Sequence, residues 1–152
     1  FKKGQRYKIS LMQISTDEAC FLFRLNRIGI PEALEEFLAN EKVLKIGLSL
    51  RDDFGAMRKR TDIQPANFLD LKNYVGQFGI EDASLQKIYA ILFGEKISKS
   101  QRLSNWEAET LSEPQKLYAA TDAWACLNIY NRLQELKRTG DFEIEGNNNV
   151  VM

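Results

Sequence analysis

Two side chains late in the chain, Tyr118 and Asp122, have types and a spacing suited to hydrolytic chemistry. They stand four residues apart in a helical pattern, so both lie on one helix face, one turn apart. Small neighbours would let a substrate backbone or a metal ion approach this face, and they are Ala119, Ala120, Ala123 and Ala125. Taken alone, the spacing arises often by chance and is equally typical of a polar helix edge.

Two more acids lie just beyond a predicted strand. Residues 43–50 form a short apolar run that favours a buried strand, and Asp52 and Asp53 follow it directly. The carboxyl end of such a strand is where α/β sheets place their sites. The alternative is that both acids only stabilise the N-terminus of the helix that follows.

A third segment combines cations with an aromatic ring. Lys99, Arg102 and Trp106 lie in a polar loop at residues 95–110, directly before the helix that carries Tyr118. Cations with an interleaved aromatic side chain suit a phosphate backbone and its bases. A solvated loop with Trp106 packed into the core explains the segment nearly as well.

The composition excludes several kinds of catalytic site. The chain of 152 residues contains no histidine, which rules out Ser-His-Asp catalysis, Cys-His catalysis and histidine-bound zinc within it. Hydrolysis would therefore depend on carboxylates, phenols, lysines or an added metal ion. Its 21 basic and 21 acidic side chains give zero formal charge, so a polyanionic partner would need a local basic patch.

The sequence favours an intracellular protein built as one domain. It has no apolar run of the roughly 20 residues that span a bilayer and no secretory leader, so we expect no membrane association and a cytoplasmic location, or a nuclear one in a eukaryote. Cys20 and Cys126 have no CxxC spacing and are interpreted as buried, reduced thiols. We expect one domain over residues 1–139 and a disordered tail over residues 140–152, which lack a periodic pattern.

The elements that would position the candidate residues alternate between strand and helix. Residues 7–14 and 19–25 have the pattern of two strands in a hairpin, and Pro31 opens an amphipathic helix. A second helix begins at Asp52, and a short strand follows at residues 67–71. This order predicts an α/β fold.

Two later helices carry clear end signals. A helical pattern follows Ser84 and ends at Gly94. Ser112 and Gln115 have the spacing of a capping box, with Pro114 in the first turn, and they begin a long helix that extends to about residue 138. This helix carries the tyrosine and the aspartate described first.

Several stretches follow the motifs of one enzyme family. They are Ser104-Asn105-Trp106, Leu111-Ser112, residues 115–123 and residues 45–54. Together they resemble the ribonuclease D and Werner-type exonucleases, the tyrosine-containing branch of the DEDD superfamily of 3'-5' exonucleases. Alignment of Gly47 places the aspartate of the second motif on Asp53 rather than Asp52. The resemblance covers residues 4–133 and implies a ribonuclease H-like fold, with a mixed β-sheet flanked by helices.

The resemblance also implies an activity, the metal-dependent hydrolysis of phosphodiester bonds at the 3' end of DNA or RNA. In the family, Asp122 would be a metal ligand, Asp53 would support the second of two Mg²⁺ or Mn²⁺ ions, and Tyr118 would orient the attacking water. Carboxylates suit these hard cations. The candidates for contact with the nucleic acid are Lys99, Arg102 and Trp106.

One motif of the family is missing. Its Asp-x-Glu belongs on a strand that should lie just before Phe1, and Asp17-Glu18 lies instead in a predicted turn. Loss of that central strand would damage folding as well as catalysis, so we expect the motif upstream of Phe1. The alternative functions are a catalytically inactive nucleic-acid-binding module of the same fold and a protein-interaction domain.

Overall fold

The chain alternates strands and helices in a computed structural model that describes residues 10–81 and 84–140. The strands within these residues are β1 at Met12–Ser15, β2 at Cys20–Phe23, β3 at Lys45–Gly47 and β4 at Phe68–Asp70. The helices are α1 at Leu25–Ile28, α2 at Glu32–Ala39, α3 at Arg51–Arg58, α4 at Leu71–Tyr74, α5 at Leu85–Phe93 and α6 at Glu113–Thr139. A 3-10 turn at Val75–Phe78 follows α4.

The strands form two pairs with different directions. β1 and β2 are antiparallel, with Met12 opposite Phe23, which confirms the predicted hairpin. β3 and β4 are parallel, with Ile46 opposite Leu69. Parallel neighbours need a crossover, which α3 supplies between them. Within the described residues the two pairs are separate two-stranded sheets, one antiparallel and one parallel, where the resemblance implies a single mixed sheet.

Helices cover both faces of the parallel pair. Ile46 and Leu69 pack against a hydrophobic cluster from α4, the 3-10 turn, α5 and α6. Phe68 precedes Leu69 and therefore points to the opposite face, where it packs against a second cluster from α1, α2 and α3. A parallel sheet with helices on both faces is an α/β arrangement, as predicted.

The long helix α6 connects the two strand pairs. It packs against β1, β2 and β3 and also against α5. Ile129 and Leu133, one turn apart, are completely buried in its core-facing stripe. It ends at Gly140, which has a φ of 73° suited to a glycine cap, so the predicted end near residue 138 is confirmed. Both strand pairs therefore pack against the helix that carries the candidate residues.

Three predictions need correction. The strand predicted at residues 43–50 is only Lys45–Gly47, because Ser49 adopts a left-handed φ of 57° that turns the chain towards α3. Cys20, predicted to be buried, is exposed, since it lies outside both hydrophobic clusters; Cys126 is buried as predicted. The strand predicted at residues 19–25 is only Cys20–Phe23, because Leu25 begins the short helix α1, which like α4 lacks the length that gives a sequence periodicity.

Two predictions concern residues that the structure does not describe. They are the first part of the strand at residues 7–14 and the tail beyond Gly140. None of the helices in residues 10–81 and 84–140 is both long and apolar enough to cross a bilayer.

Candidate active site

The start of α6 is fixed by the capping box that the sequence predicts. The Ser112 hydroxyl accepts a hydrogen bond from the Gln115 backbone N–H at 3.2 Å, and the Gln115 side-chain oxygen accepts one from the Ser112 N–H at 2.9 Å. Pro114 lies in the first turn. A cap of this kind stabilises a helix by about 1 kcal/mol.

Gln115 also binds the loop that precedes the helix. Its side chain is buried, and its amide nitrogen donates to the Ser104 hydroxyl at 3.1 Å and to the Asn105 carbonyl at 3.0 Å. One amide group therefore caps α6 through its oxygen and holds the loop through its nitrogen. The next loop residue, Trp106, is placed beside the first turns of α6.

Arg24, which follows β2, binds the same loop. Its guanidinium donates to the carbonyl oxygens of Glu109 at 2.9 Å, of Trp106 at 3.5 Å and of Ala108. Arg27 donates to the Ala108 carbonyl at 3.3 Å. These contacts tie the loop to a segment more than 80 residues away in the sequence, so residues 106–109 are an integral part of the fold.

Trp106 and Tyr118 form the aromatic part of the site. Their ring centroids are 6.0 Å apart, with the planes inclined by 39°. The Trp106 indole N–H donates to the Arg102 carbonyl at 3.3 Å, which brings Arg102 to the same place. Trp106 is partly buried but belongs to neither hydrophobic cluster, so the alternative of a core tryptophan is wrong.

Tyr118 keeps its phenolic proton at neutral pH. Burial raises the pKa of Tyr118 above its ordinary value of 10.0, the charge of Asp122 raises it further, and the charge of Arg102 lowers it. Asp122 and Arg102 therefore both lie within electrostatic range of the phenol. A neutral phenol donates one hydrogen bond and accepts others, so it can orient a bound water molecule.

Asp122 is a partly buried acid with one fully enclosed oxygen. Its Oδ1 is buried and has no hydrogen-bond partner within the described residues. Burial raises the pKa of Asp122 to about 6. An ionised carboxylate in this position destabilises the fold unless a cation or a donor approaches it. The arrangement is suited to binding a metal ion.

Cys126 lies within electrostatic range of both Asp122 and Asp70, the residue that ends β4. The pKa of Cys126 is raised to about 12, first by burial and then by the charges of Asp122 and Asp70. Asp70 ends β4, so the carboxyl end of the parallel pair lies near the same part of α6. Asp53 stands in the first turn of α3, directly beyond β3, and is partly buried, whereas Asp52 is exposed.

Lys99 and Arg102 are exposed at the other end of the loop. The Arg102 backbone N–H donates to the Lys99 carbonyl at 3.1 Å, so the two belong to one turn. The ion pairs seen in the described part of the chain, Lys116–Glu113 and Arg132–Glu135, involve neither of them. Both charges are open to a polyanion.

The described residues fit a metal ion only in part. Asp122 offers a buried oxygen without a partner, and hard divalent cations prefer such carboxylate ligands. No group of three or more acidic or cysteine side chains that could hold an ion is present within residues 10–81 and 84–140. A complete coordination shell would draw on water, on substrate oxygens or on residues beyond these ranges.

Comparison with known proteins decides the family. The family model described as 3'-5' exonuclease matches residues 2–137, a range that contains α3 and all but the last two residues of α6. This chain belongs to the 3'-5' exonuclease family. The match confirms the resemblance drawn from the motifs around Asp53 and Asp122.

Two relatives of this exonuclease domain belong to much longer proteins. The bifunctional 3'-5' exonuclease/ATP-dependent helicase WRN of Mus musculus is 32% identical over 145 residues, which are 91% of this chain and 10% of that protein. Exonuclease 3'-5' domain-containing protein 2 of Drosophila melanogaster is 34% identical over 134 residues, which are 86% of this chain and 23% of that protein. The chain therefore spans less than a quarter of either relative.

A solved structure confirms the fold of the exonuclease domain. Ribonuclease D of Escherichia coli superimposes with a TM-score of 0.71 and 21% identity, covering 86% of this chain and 36% of that one. The predicted ribonuclease H-like fold is confirmed.

The structure brings together four of the predicted site residues. Tyr118, Asp122, Trp106 and Arg102 interact with one another directly or through their charges. Lys99 lies one turn from Arg102, and Asp53 stands in the first turn of α3. The catalytic, metal-binding and nucleic-acid-binding roles of all six stay predictions.

Only part of the predicted alanine surface faces outwards. Ala119 and Ala125 are buried in the core, because they lie on the face of α6 that packs against the strands and α5. Ala120 and Ala123 are partly exposed, so they alone among the four could permit close approach.

Sequence reasoning missed two residues that organise the site, Arg24 and Asp70. Arg24 has no local signal, since its partners are carbonyl groups far along the chain. Asp70 had a signal, because an acid at the end of a buried strand is a frequent cap for the next element. Gln115 was predicted as a helix cap but not as a support for the loop.

Proposed function

We propose that this domain removes nucleotides from the 3' end of DNA or RNA in a reaction that depends on Mg²⁺ or Mn²⁺. The observation that carries the proposal is the enclosed Oδ1 of Asp122, which has no hydrogen-bond partner among residues 10–81 and 84–140 and lies one helical turn from Tyr118. Membership of the 3'-5' exonuclease family supports the same reaction.

Asp122 would hold the metal, and Asp53 would support a second ion. Bound divalent cations lower the pKa of a coordinated water and stabilise the leaving oxygen of a phosphodiester. The Oδ1 atom of Asp122 is enclosed and accepts no hydrogen bond from the described residues, so this oxygen would be available to a cation. These roles rest on the chemistry of the donor groups and on the family resemblance.

Tyr118 and the loop would position the reacting groups. The protonated phenol of Tyr118 would orient the attacking water, and contact with Trp106 would limit rotation of the phenol ring. Arg102, whose charge acts on that phenol, and Lys99 would bind the phosphate backbone. A terminal base could contact Trp106.

The direct test uses the full-length protein and a 5'-labelled oligonucleotide with Mg²⁺ or Mn²⁺. We expect a ladder of products shortened one nucleotide at a time from the 3' end, abolished by EDTA and by Asp122→Ala. Asp17→Ala, in the exposed turn between β1 and β2, is the matched control and should leave the ladder unchanged. Activity that resists EDTA, or equal activity in Asp122→Ala, would refute the proposal.

A second candidate is a catalytically inactive module that binds nucleic acid. It is favoured by the lack of a group of three metal-binding side chains in residues 10–81 and 84–140. Such a module would bind the oligonucleotide with an affinity that falls on Arg102→Ala, yet give no products with any divalent cation.

A further inference from the structure

Asp70 makes contacts that no catalytic role requires. It ends β4, and its Oδ1 accepts a hydrogen bond from the Lys72 backbone N–H at 3.0 Å, which caps the short helix α4. The same carboxylate reaches across to the connection between β3 and α3. There it accepts from the Ser49 N–H at 2.8 Å through Oδ1 and from the Leu50 N–H at 2.9 Å through Oδ2.

The connection that Asp70 binds is conformationally demanding. Ser49 has a φ of 57°, in the left-handed region that favours glycine. Leu50, the N-cap residue of α3, provides no side-chain cap for the helix. The Leu50 side chain also lies over Gly47, so a Cβ at position 47 would displace it. A fixed acceptor for the two backbone N–H groups is what maintains this turn.

Asp53 depends on the same turn. It stands three residues after Leu50, in the first turn of α3. A helix is rigid over one turn, so the direction in which α3 leaves the strand determines where the Asp53 carboxylate lies. Both Asp70 oxygens accept from backbone amides, so Asp70 is poorly placed to be a metal ligand itself.

We propose that Asp70 is a positioning residue of this site: by binding the backbone N–H groups of Ser49 and Leu50, it fixes the first turn of α3 and thereby the position of Asp53, the residue assigned above to the second metal ion. The inference rests on the proposed function, since it assigns Asp53 a part in metal binding. Removal of a group that orients a metal ligand without contacting the metal typically lowers metal affinity by about 10–100-fold.

The test measures two things separately in the full-length protein: the hydrogen bonds from Asp70 to Ser49 and Leu50, and the binding of Mn²⁺ near Asp53. In Asp70→Asn, one carboxylate oxygen becomes an NH₂ group, which cannot accept from an amide. We expect hydrogen exchange to accelerate at least roughly tenfold at whichever of the Ser49 and Leu50 amides faces the new NH₂ group, because the hydrogen bond that protects it is lost. We expect the Mn²⁺ concentration that broadens the Asp53 amide resonance to rise by about tenfold.

Two further variants separate positioning from charge and from general damage. Asp70→Glu keeps the charge but displaces the carboxylate by one methylene, so a positioning role predicts weaker Mn²⁺ binding and a purely electrostatic role predicts the wild-type affinity. Asp62→Asn removes an exposed charge from the loop before β4 and should change neither readout. If Asp70→Asn does not fold, Asp70→Glu carries both measurements.

The outcomes distinguish this inference from the proposed function. Unchanged exchange at Ser49 and Leu50 would overturn the contact, and faster exchange with unchanged Mn²⁺ binding in both Asp70 variants would overturn the positioning role. A wild-type protein that binds Mn²⁺ but releases no nucleotides would refute the proposed function while the positioning of Asp53 could still be measured.

Discussion

The two sides of the candidate site are held in different ways. On the α6 side, the loop that carries Trp106 is bound by Gln115 and by Arg24, through several hydrogen bonds that join distant parts of the chain. On the α3 side, the turn before Asp53 depends on the single carboxylate of Asp70.

This difference determines how each side should respond to mutation. Loss of one hydrogen bond on the α6 side leaves others in place, whereas loss of Arg24, which makes several of them, should release the loop. The α3 side combines one acceptor with a strained serine, so its backbone should respond to single changes. The enclosed Oδ1 of Asp122, without a hydrogen-bond partner among the described residues, should lower the stability of the fold unless a cation binds it.

The largest expected effect is on catalysis from the α6 side. Tyr118→Phe removes the phenolic hydroxyl but keeps the ring that contacts Trp106, so kcat should fall by about 100-fold with the unfolding temperature unchanged. Tyr130→Phe, on the same helix with its ring against Tyr74, is the control and should retain full kcat. Equal losses in the two variants would show that the hydroxyl of Tyr118 has no special role.

The next effect concerns the anchoring of the loop. Arg24→Ala removes hydrogen bonds to three carbonyl groups and should lower the free energy of unfolding by about 2–3 kcal/mol. Arg27→Ala removes one bond from an exposed side chain and should cost less than about 0.5 kcal/mol. Urea unfolding measures both, and similar losses would contradict the view that Arg24 anchors the loop.

A smaller effect of opposite sign is expected on the α3 side. Ser49→Gly relieves a left-handed φ of 57°, but glycine also loses more conformational entropy on folding. The net effect should be a stabilisation of the fold by about 0.5 kcal/mol. Ser100→Gly is the control and has no such strain to relieve. Among the non-glycine residues of the described chain, only Ser49 and Asn67 have a positive φ. Ser100→Gly should therefore be neutral or destabilising. A stabilising Ser100→Gly together with a destabilising Ser49→Gly would contradict this account.

Local signals predicted the elements well. The capping box at Ser112 and Gln115, the glycine that ends α5 and the hairpin of β1 and β2 all appear as predicted, because each depends on neighbours within a few residues. The pattern also predicted that Asp53 follows a strand end and that Tyr118 and Asp122 share a helix face.

The distant contacts of Arg24 and Asp70, the residues that hold the site in place, could not be predicted from local signals. Arg24 meets carbonyl groups more than 80 residues away, and Asp70 meets amides about 20 residues earlier, across the parallel strand pair. Backbone acceptors and donors are the same in every residue, so the sequence gives no sign of which ones a distant side chain will bind. The left-handed conformation of Ser49 could not be predicted either, because a serine in the sequence does not indicate a positive φ.

Asp122 would be a partly buried carboxylate whose enclosed Oδ1, without a hydrogen-bond partner among the described residues, serves a cation; the pH dependence of stability in EDTA tests this. Burial raises the pKa of Asp122 to about 6 in the folded protein, whereas an unfolded aspartate has a pKa of about 3.9. The folded state therefore gains from the protonated form at low pH and loses that stabilisation as pH rises through about 6.

The most direct test is thermal unfolding of the wild type and Asp122→Asn, with EDTA and with Mn²⁺. In EDTA, we predict equal stability near pH 4 and an Asp122→Asn variant that is more stable by about 1 kcal/mol at pH 7.5, a value reduced by partial solvent screening. Mn²⁺ should then raise the unfolding temperature of the wild type and leave that of the variant unchanged. A variant less stable than the wild type in EDTA at pH 7.5, or stabilised equally by Mn²⁺, would contradict the account.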